Sequence, residues 1–234
     1  MSGSNIRFSL VVLLLGSVLA CANVNDLPEG YVISQHNKEA VLRYLRAALM
    51  AHGEAGRVYY STACEAQDGT PLPFPQVEVQ SPSNGKTGLT AVRDIFRKDK
   101  RVNVSEDATG IIRVTIGEPA SALLQTRIHS LTLKQHEQYN PELAIFAILN
   151  STDVEVAIRQ LGFDQPDTTF GGSINVPGKG MALPHLPASM MDVTMDQALD
   201  LVAKTFRGIV IYETCADASG KRLVSLDFAH VADF

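Results

Sequence analysis

Tryptophan is absent from the 234 residues, and aromatic side chains make up only 6% of them. Any core must therefore be built mostly from Leu, Val, Ile and Ala. A hydrophobic content of 45% supplies enough of these for a sizeable one and excludes wholesale disorder. A cationic surplus is missing too: 20 Lys and Arg face 25 Asp and Glu, for a net charge of −5. That balance argues against non-specific nucleic-acid binding. There are only three cysteines, Cys21, Cys64 and Cys215, and no Cys-x-x-Cys, so dithiol redox catalysis has no basis. The six histidines are His36, His52, His129, His136, His185 and His230. They form no His-Glu-x-x-His and no pair at helical i, i+4 spacing, so no metal site and no cofactor is expected.

What is present begins with an address. Met1–Arg7 carries one positive side chain. An uncharged apolar run from Phe8 to Ala22 follows, with small residues at its end. This is the layout of a secretory signal peptide over residues 1–22. At about 1.5 Å per residue the run spans about 22 Å, short of a hydrocarbon core of ~30 Å. Two cleavages stay open. Ala20-Cys21-Ala22 fits a cut after Ala22, which gives a freely secreted or periplasmic protein. Ser17-Val-Leu-Ala-Cys21 fits a bacterial lipobox, which makes Cys21 the lipidated first residue and anchors the chain to a membrane. An uncleaved anchor is the third alternative.

Either cleavage leaves Cys64 and Cys215. In an oxidising compartment they are candidates for one disulfide closing a loop of about 150 residues, with ~4–5 kcal/mol of stabilisation in the chain-entropy model. Two buried free thiols are the other reading.

Beyond a tether at residues 23–36, the body reads as α+β, with a helix-plus-hairpin unit repeated. In 37–117 the pattern occurs twice. An amphipathic helix (Val41, Leu42, Leu45, Ala48, Leu49) leads to a strand from Arg57 to Cys64, a turn, and a return strand from Phe74 to Gln80. A second helix (Leu89, Val92, Ile95, Phe96) leads to Val102 and Val104, a turn at Asp107–Gly110, and Ile112, Val114 and Ile116 in alternation. Residues 191–234 hold the third unit. Thr194 and Gln197 have capping-box spacing, Gly208 closes the helix, and strands follow at Ile209–Cys215 and Leu223–Phe228.

The insertion at 118–162 reads as helical: one helix from Pro119 through Leu123, Leu124, Ile128 and Leu131, a second from Asn140-Pro141, and a third capped by Asp153. Residues 163–190 form a Gly- and Pro-rich loop.

No stretch carries a catalytic signature, and no catalytic residue is assigned. Ser83-Asn-Gly-Lys86 has serine–lysine spacing, but Lys86-Thr-Gly88 overlaps it where separate motifs are needed. Gly85-Lys86-Thr87 ends like a phosphate loop, yet position 80 is Gln where the curl needs Gly. Arg93, Arg97, Lys98, Lys100 and Arg101 cluster near a helix C-terminus, where cations are favourable, and Asp94 and Asp99 dilute them. The carboxylates show no acid–base pairing and read as solubility residues.

The stretch from Met191 through Thr194, Ala198-Leu199 and Gly208 to Tyr212 resembles the short N-terminal module of secretins and TonB-dependent receptors. Gly88 to Gly117 resembles it more loosely. The resemblance implies a short strand, a Thr-led helix, a Gly and an apolar strand, in a periplasmic interaction module without catalytic residues. The expectation is a non-catalytic binding or assembly module of the bacterial envelope with a protein partner. The alternative is an envelope hydrolase whose dispersed site lies near 163–190, with His185 the histidine to watch.

Overall fold

The computed structural model describes residues 41–50, 55–61, 88–116, 121–164, 183–216 and 222–231; at 60, 61, 215 and 216 it describes the backbone alone. The protein is α+β. Helix α1 covers residues 41–50 and turns Val41, Leu45 and Leu49 inward. It precedes β1 (Gly56–Ser61). Helix α2 (Gly88–Ile95) leads to β2 (Val102–Glu106) and β3 (Ile112–Ile116), which form an antiparallel hairpin. Asp107 builds the turn between them. Its carboxylate accepts from the Thr109 and Ile111 N–H groups, and Gly110 supplies the positive φ of 79°.

The third unit folds as its sequence pattern predicts. Strand β6 (Ser189–Thr194) leads into α6 (Met195–Phe206), whose capping box joins Thr194 and Gln197. Strands β7 (Gly208–Ala216) and β8 (Arg222–His230) follow as an antiparallel pair. Gly208, however, does not close the helix. Arg207 does, at φ 48°, and its N–H bonds back to the Ala203 carbonyl. Gly208 is required for space instead: a Cβ there would sit 1.9 Å from Cζ of Phe228. Because a left-handed conformation penalises any side chain with a Cβ, Arg207→Gly is expected to raise stability by about 0.5–1 kcal/mol. Chemical denaturation checks this, and a loss of stability would refute it.

The six-stranded sheet has the order β2-β3-β1-β7-β8-β5, where β5 is Phe163–Asp164. Strand β1 lies parallel to β3 on one side and to β7 on the other. Both edges of Gly56–Tyr60 are thereby taken, which corrects the first helix–hairpin unit: no return strand can pair with β1 there. The proposed return strand, 74–80, lies outside the described residues.

The insertion is corrected as well. Leu123 and Leu124 sit in a 3-10 turn (Ala122–Gln125), and Ile128 and Leu131 lie in β4 (Arg127–Thr132), which pairs antiparallel with β6. The ladder is interrupted where His129 faces Asp192, whose φ is 54°. That break resets the inward phase, so residues three apart both turn in and imitate a helical period. The other two insertion helices form. After a short α3 (Gln135–Gln138), α4 (Pro141–Leu149) is capped by Asn140 and leads to α5 (Thr152–Gln160). Ser151, not Asp153, is the N-cap residue of α5.

Each face of the large sheet has its own apolar layer. Helices α1 and α2 cover Val58, Val104, Ile112, Val114, Ile209 and Ile211. The opposite face carries Tyr59, Val210, Tyr212, Val224, Leu226 and Phe228 beneath α4, α5, α6 and the small sheet. Alternation along β7 explains the division, because neighbouring residues point to opposite faces. No helix among the described residues is long and apolar enough to cross a membrane.

Candidate functional site

On the second face the apolar layer reaches Tyr59 on β1 and gives way to charge. Arg57 on β1 and Arg113 on β3 are register partners on adjacent strands, and alternation points both toward α6. Helix α6 answers with Asp196 and Asp200, one turn apart on the same stripe. Its other stripe, including Ala198, Leu199, Val202 and Phe206, stays in the core.

Arg57 is fully buried, at 0% exposure. Its Nη1 donates to the Asp196 carbonyl at 2.5 Å, and its Nη2 lies 3.0 Å from Asp196 Oδ1 and in contact with Asp200 Oδ1. The Nη2–Oδ1 contact with Asp200 is an ion pair without hydrogen-bond alignment, and Arg57 Nε has no acceptor among the described residues. Arg113 is half-buried and reaches three carboxylates. Nη2 lies 2.7 Å from Asp200 Oδ2 and 3.0 Å from Asp107 Oδ2, and Nη1 lies 3.3 Å from Asp196 Oδ2. Tyr59 stands between them: its hydroxyl donates to Asp196 Oδ1 at 2.7 Å and accepts from Arg113 Nη1 at 2.5 Å. The Arg57 guanidinium also sits 4.7 Å from the Tyr59 ring centroid.

The electrostatics follow from burial. Asp200 is pushed up to about 7, first by burial, with Asp196 and Asp107 adding to it; Arg113 pulls the other way and does not win. Tyr59 is raised well above the usual phenol range by burial and by Asp196, so its hydroxyl remains a donor at every physiological pH. Tyr212, packed 6.1 Å from the Tyr59 ring, is pushed up to about 12 by burial. Burial also pushes Asp107 upward, but the hydrogen bonds from Thr109 and Ile111 outweigh it and hold its carboxyl below the usual range. The arrangement fastens α6 to two strands through ion pairs and the Tyr59 hydroxyl.

None of the four charged residues Arg57, Arg113, Asp196 and Asp200 stands out in the sequence. The carboxylates of α6 are half-buried ion-pair partners rather than the solubility residues expected. The available signal was an arginine at an inward position in each of two strands, together with two aspartates at i, i+4.

The residues singled out from sequence lie elsewhere. Cys21 and Cys64 are outside the described residues, and Cys215 is described only as backbone in β7. His185 is exposed, with its ring 5.2 Å from that of Tyr139 and its Nδ1 3.3 Å from the Leu183 carbonyl. No carboxylate bonds to it among the described residues. His129 on β4 and His136 on α3 belong to different elements. Asp153 accepts from the His129 N–H and lies 3.2 Å from its Nδ1, and these bonds pull its carboxyl down. Of the five basic residues, Arg93 donates to the Val104 carbonyl of β2 and Arg101 is held by Asp99, so both serve the fold. Among the described residues no group of His, Cys, Asp and Glu is arranged to hold a metal.

No protein-family model, curated protein or solved structure matches the chain.

Proposed function

We propose that this chain is an exported, lipid-anchored, non-catalytic binding or assembly module of the bacterial cell envelope, acting through a protein partner. The observation that carries the reading is the order β6, Thr194-capped α6, β7, which is the strand–helix–strand order of the module its sequence resembles. The N-terminal segment supports the address. Its uncharged apolar run and its Cys21 suit a lipoprotein signal.

The disulfide gains support from strand pairing. Ser61 of β1 is the register partner of Thr214 of β7, so Cys215 follows the last pair directly and Cys64 lies three residues past it in sequence. Three residues reach about 10 Å, ample for the roughly 5.5–6 Å between bridged Cα atoms.

One experiment addresses address and bridge together. The full chain, expressed in a bacterial host and extracted from its envelope, is measured by intact mass with and without alkylation. The expected product starts at a lipid-modified Cys21 and resists alkylation until reductant is added. A mature chain starting at unmodified Asn23 removes the lipid anchor, and retention of residues 1–22 removes both cleavages and leaves the uncleaved anchor. Two thiols alkylated under non-reducing denaturation remove the bridge. The partner is tested by crosslinking and purification from gently solubilised envelopes. The expected result is one envelope protein in fixed stoichiometry with the chain, and a solitary chain counts against stable assembly.

A further inference from the structure

The two layers that cover the large sheet differ in charge. Among the described residues, the α1–α2 layer, residues 41–50 and 88–101, holds seven cations against two carboxylates. The opposite layer, residues 121–162 and 183–206, holds four cations against seven carboxylates. The net charge of −5 averages the two faces and hides the division.

Packing decides which charges point outward. On α1 the inward residues are Val41, Leu45 and Leu49, so the exposed stripe along the helix is Arg43, Arg46, Ala47 and Met50. That stripe has no carboxylate, and Met50 is 58% exposed at its end. On α2 and the turn after it, Val92 and Phe96 point into the core, which leaves Arg93, Arg97, Lys98, Lys100 and Arg101 exposed. Asp99 is buried against Arg101, and Asp94 is half-buried. All seven cations of the layer are therefore exposed and neither carboxylate is. Arg93 and Arg101 also brace the fold, and they keep their charge while doing so. Exposed charges of one sign repel one another until a counter-charge meets them.

We infer that the α1–α2 layer lies against an anionic lipid bilayer, with the cations of α1, α2 and the following turn on the headgroup phosphates and Met50 at the acyl boundary, while the acidic layer faces away.

The inference rests on the lipid anchor proposed above. Helix α1 begins twenty residues after Cys21, a span of at most about 70 Å. A tether of that length holds the domain near the surface without orienting it, and the division of charge supplies the orientation. A plane of headgroups suits this layer better than a compact acidic partner does. The cations are spread along both helices rather than gathered in one pocket, and a bilayer also accepts the exposed Met50.

The test uses the mature chain from Asn23 without lipid, so that the face is measured apart from the anchor. Sedimentation follows its binding to vesicles of phosphatidylcholine alone and of equal parts phosphatidylcholine and phosphatidylglycerol. Binding is expected on the anionic vesicles only, and it should weaken as salt rises. Arg43→Gln with Arg46→Gln should weaken it about twentyfold, at about fivefold for each cation removed. Lys98→Gln with Lys100→Gln should do the same. A control pair on the opposite layer, Lys134→Gln with Arg159→Gln, changes the net charge equally and should leave binding as it was. Circular dichroism checks the fold of each variant, and where one pair unfolds the other decides. No binding to anionic vesicles, equal binding to both kinds, or equal losses in all three pairs overturns the inference. An envelope protein crosslinked through α1 or α2, without vesicle binding, also overturns it and assigns the face to that protein. The anchor fails separately: a chain unmodified at Cys21 that still binds anionic vesicles removes the anchor alone, and a lipidated chain whose lipid-free form does not bind removes the face alone.

Discussion

Arg57→Met should destabilise the protein by about 3–5 kcal/mol, measured by urea unfolding at pH 7. Methionine fills much of the same volume, so packing is largely kept and the loss is electrostatic. Arg57 is fully buried and reaches the Oδ1 atoms of both Asp196 and Asp200 from beneath. Without it, carboxylates that were desolvated for an ion pair lose half of their counter-charge. The Asp196 carbonyl loses its donor as well. Arg113→Met should cost less, because Arg113 is about one-fifth exposed and water compensates its partners in part. Adding Asp200→Leu to Arg57→Met should recover a substantial share of the loss, since an apolar pair needs no counter-charge. A change of under 1 kcal/mol for Arg57→Met alone would show that the cluster is not a buried ion pair in energetic terms.

Gly208→Ala is the second large effect, expected at about 3 kcal/mol. The substitution adds a single methyl group, but the site has no room for it. The new Cβ falls 1.9 Å from Cζ of Phe228 and about 2.5 Å from both Cε atoms. The ring cannot simply swing aside. Phe206 meets it edge-on at 6.4 Å and His230 at 5.0 Å. A glycine that lends its space to a cross-strand aromatic is a recognised device for holding register in a sheet. Thermal unfolding of G208A and of the double variant Gly208→Ala with Phe228→Leu checks the cause. The smaller side chain should return much of the lost stability, and strictly additive losses would place the cost elsewhere.

Much of the local architecture was legible in the sequence because it is written in short periods. The change from a helical to an alternating pattern marks α2, β2 and β3, and again α6, β7 and β8. Thr194 with Gln197 and Asn140 with Pro141 announce helix starts, and both are realised as caps. Strand order is a different kind of information. Nothing near Arg57-Val58-Tyr59 states that its neighbours will be residues 112–116 and 209–214. The apolar residues of β4 imitate a helix because Asp192 interrupts the ladder opposite them, and that interruption belongs to the partner strand. The ionic cluster was hidden for the same reason. Each of its charges taken singly suits a solvated surface, and only the parallel pairing of β1 and β3 beneath α6 draws them together around the buried Arg57. An arginine alternating with Val58 and Val114 was one local hint, since those strands are covered on both faces, and two aspartates at i, i+4 on α6 were the other.

The position of β1 between β3 and β7 bears on the order in which the molecule can be made. As the chain leaves the ribosome, β1 appears early, whereas one of its two neighbours comes some 150 residues later. The counter-charges for Arg57 and Arg113 arrive in the same late stretch. A nascent chain therefore cannot finish its sheet and idle as a nearly native fragment. It stays open until β7 is available, with a high contact order and correspondingly slow closure. A sheet that closes only once β7 arrives is still slack while the residues between β3 and β7 are being made.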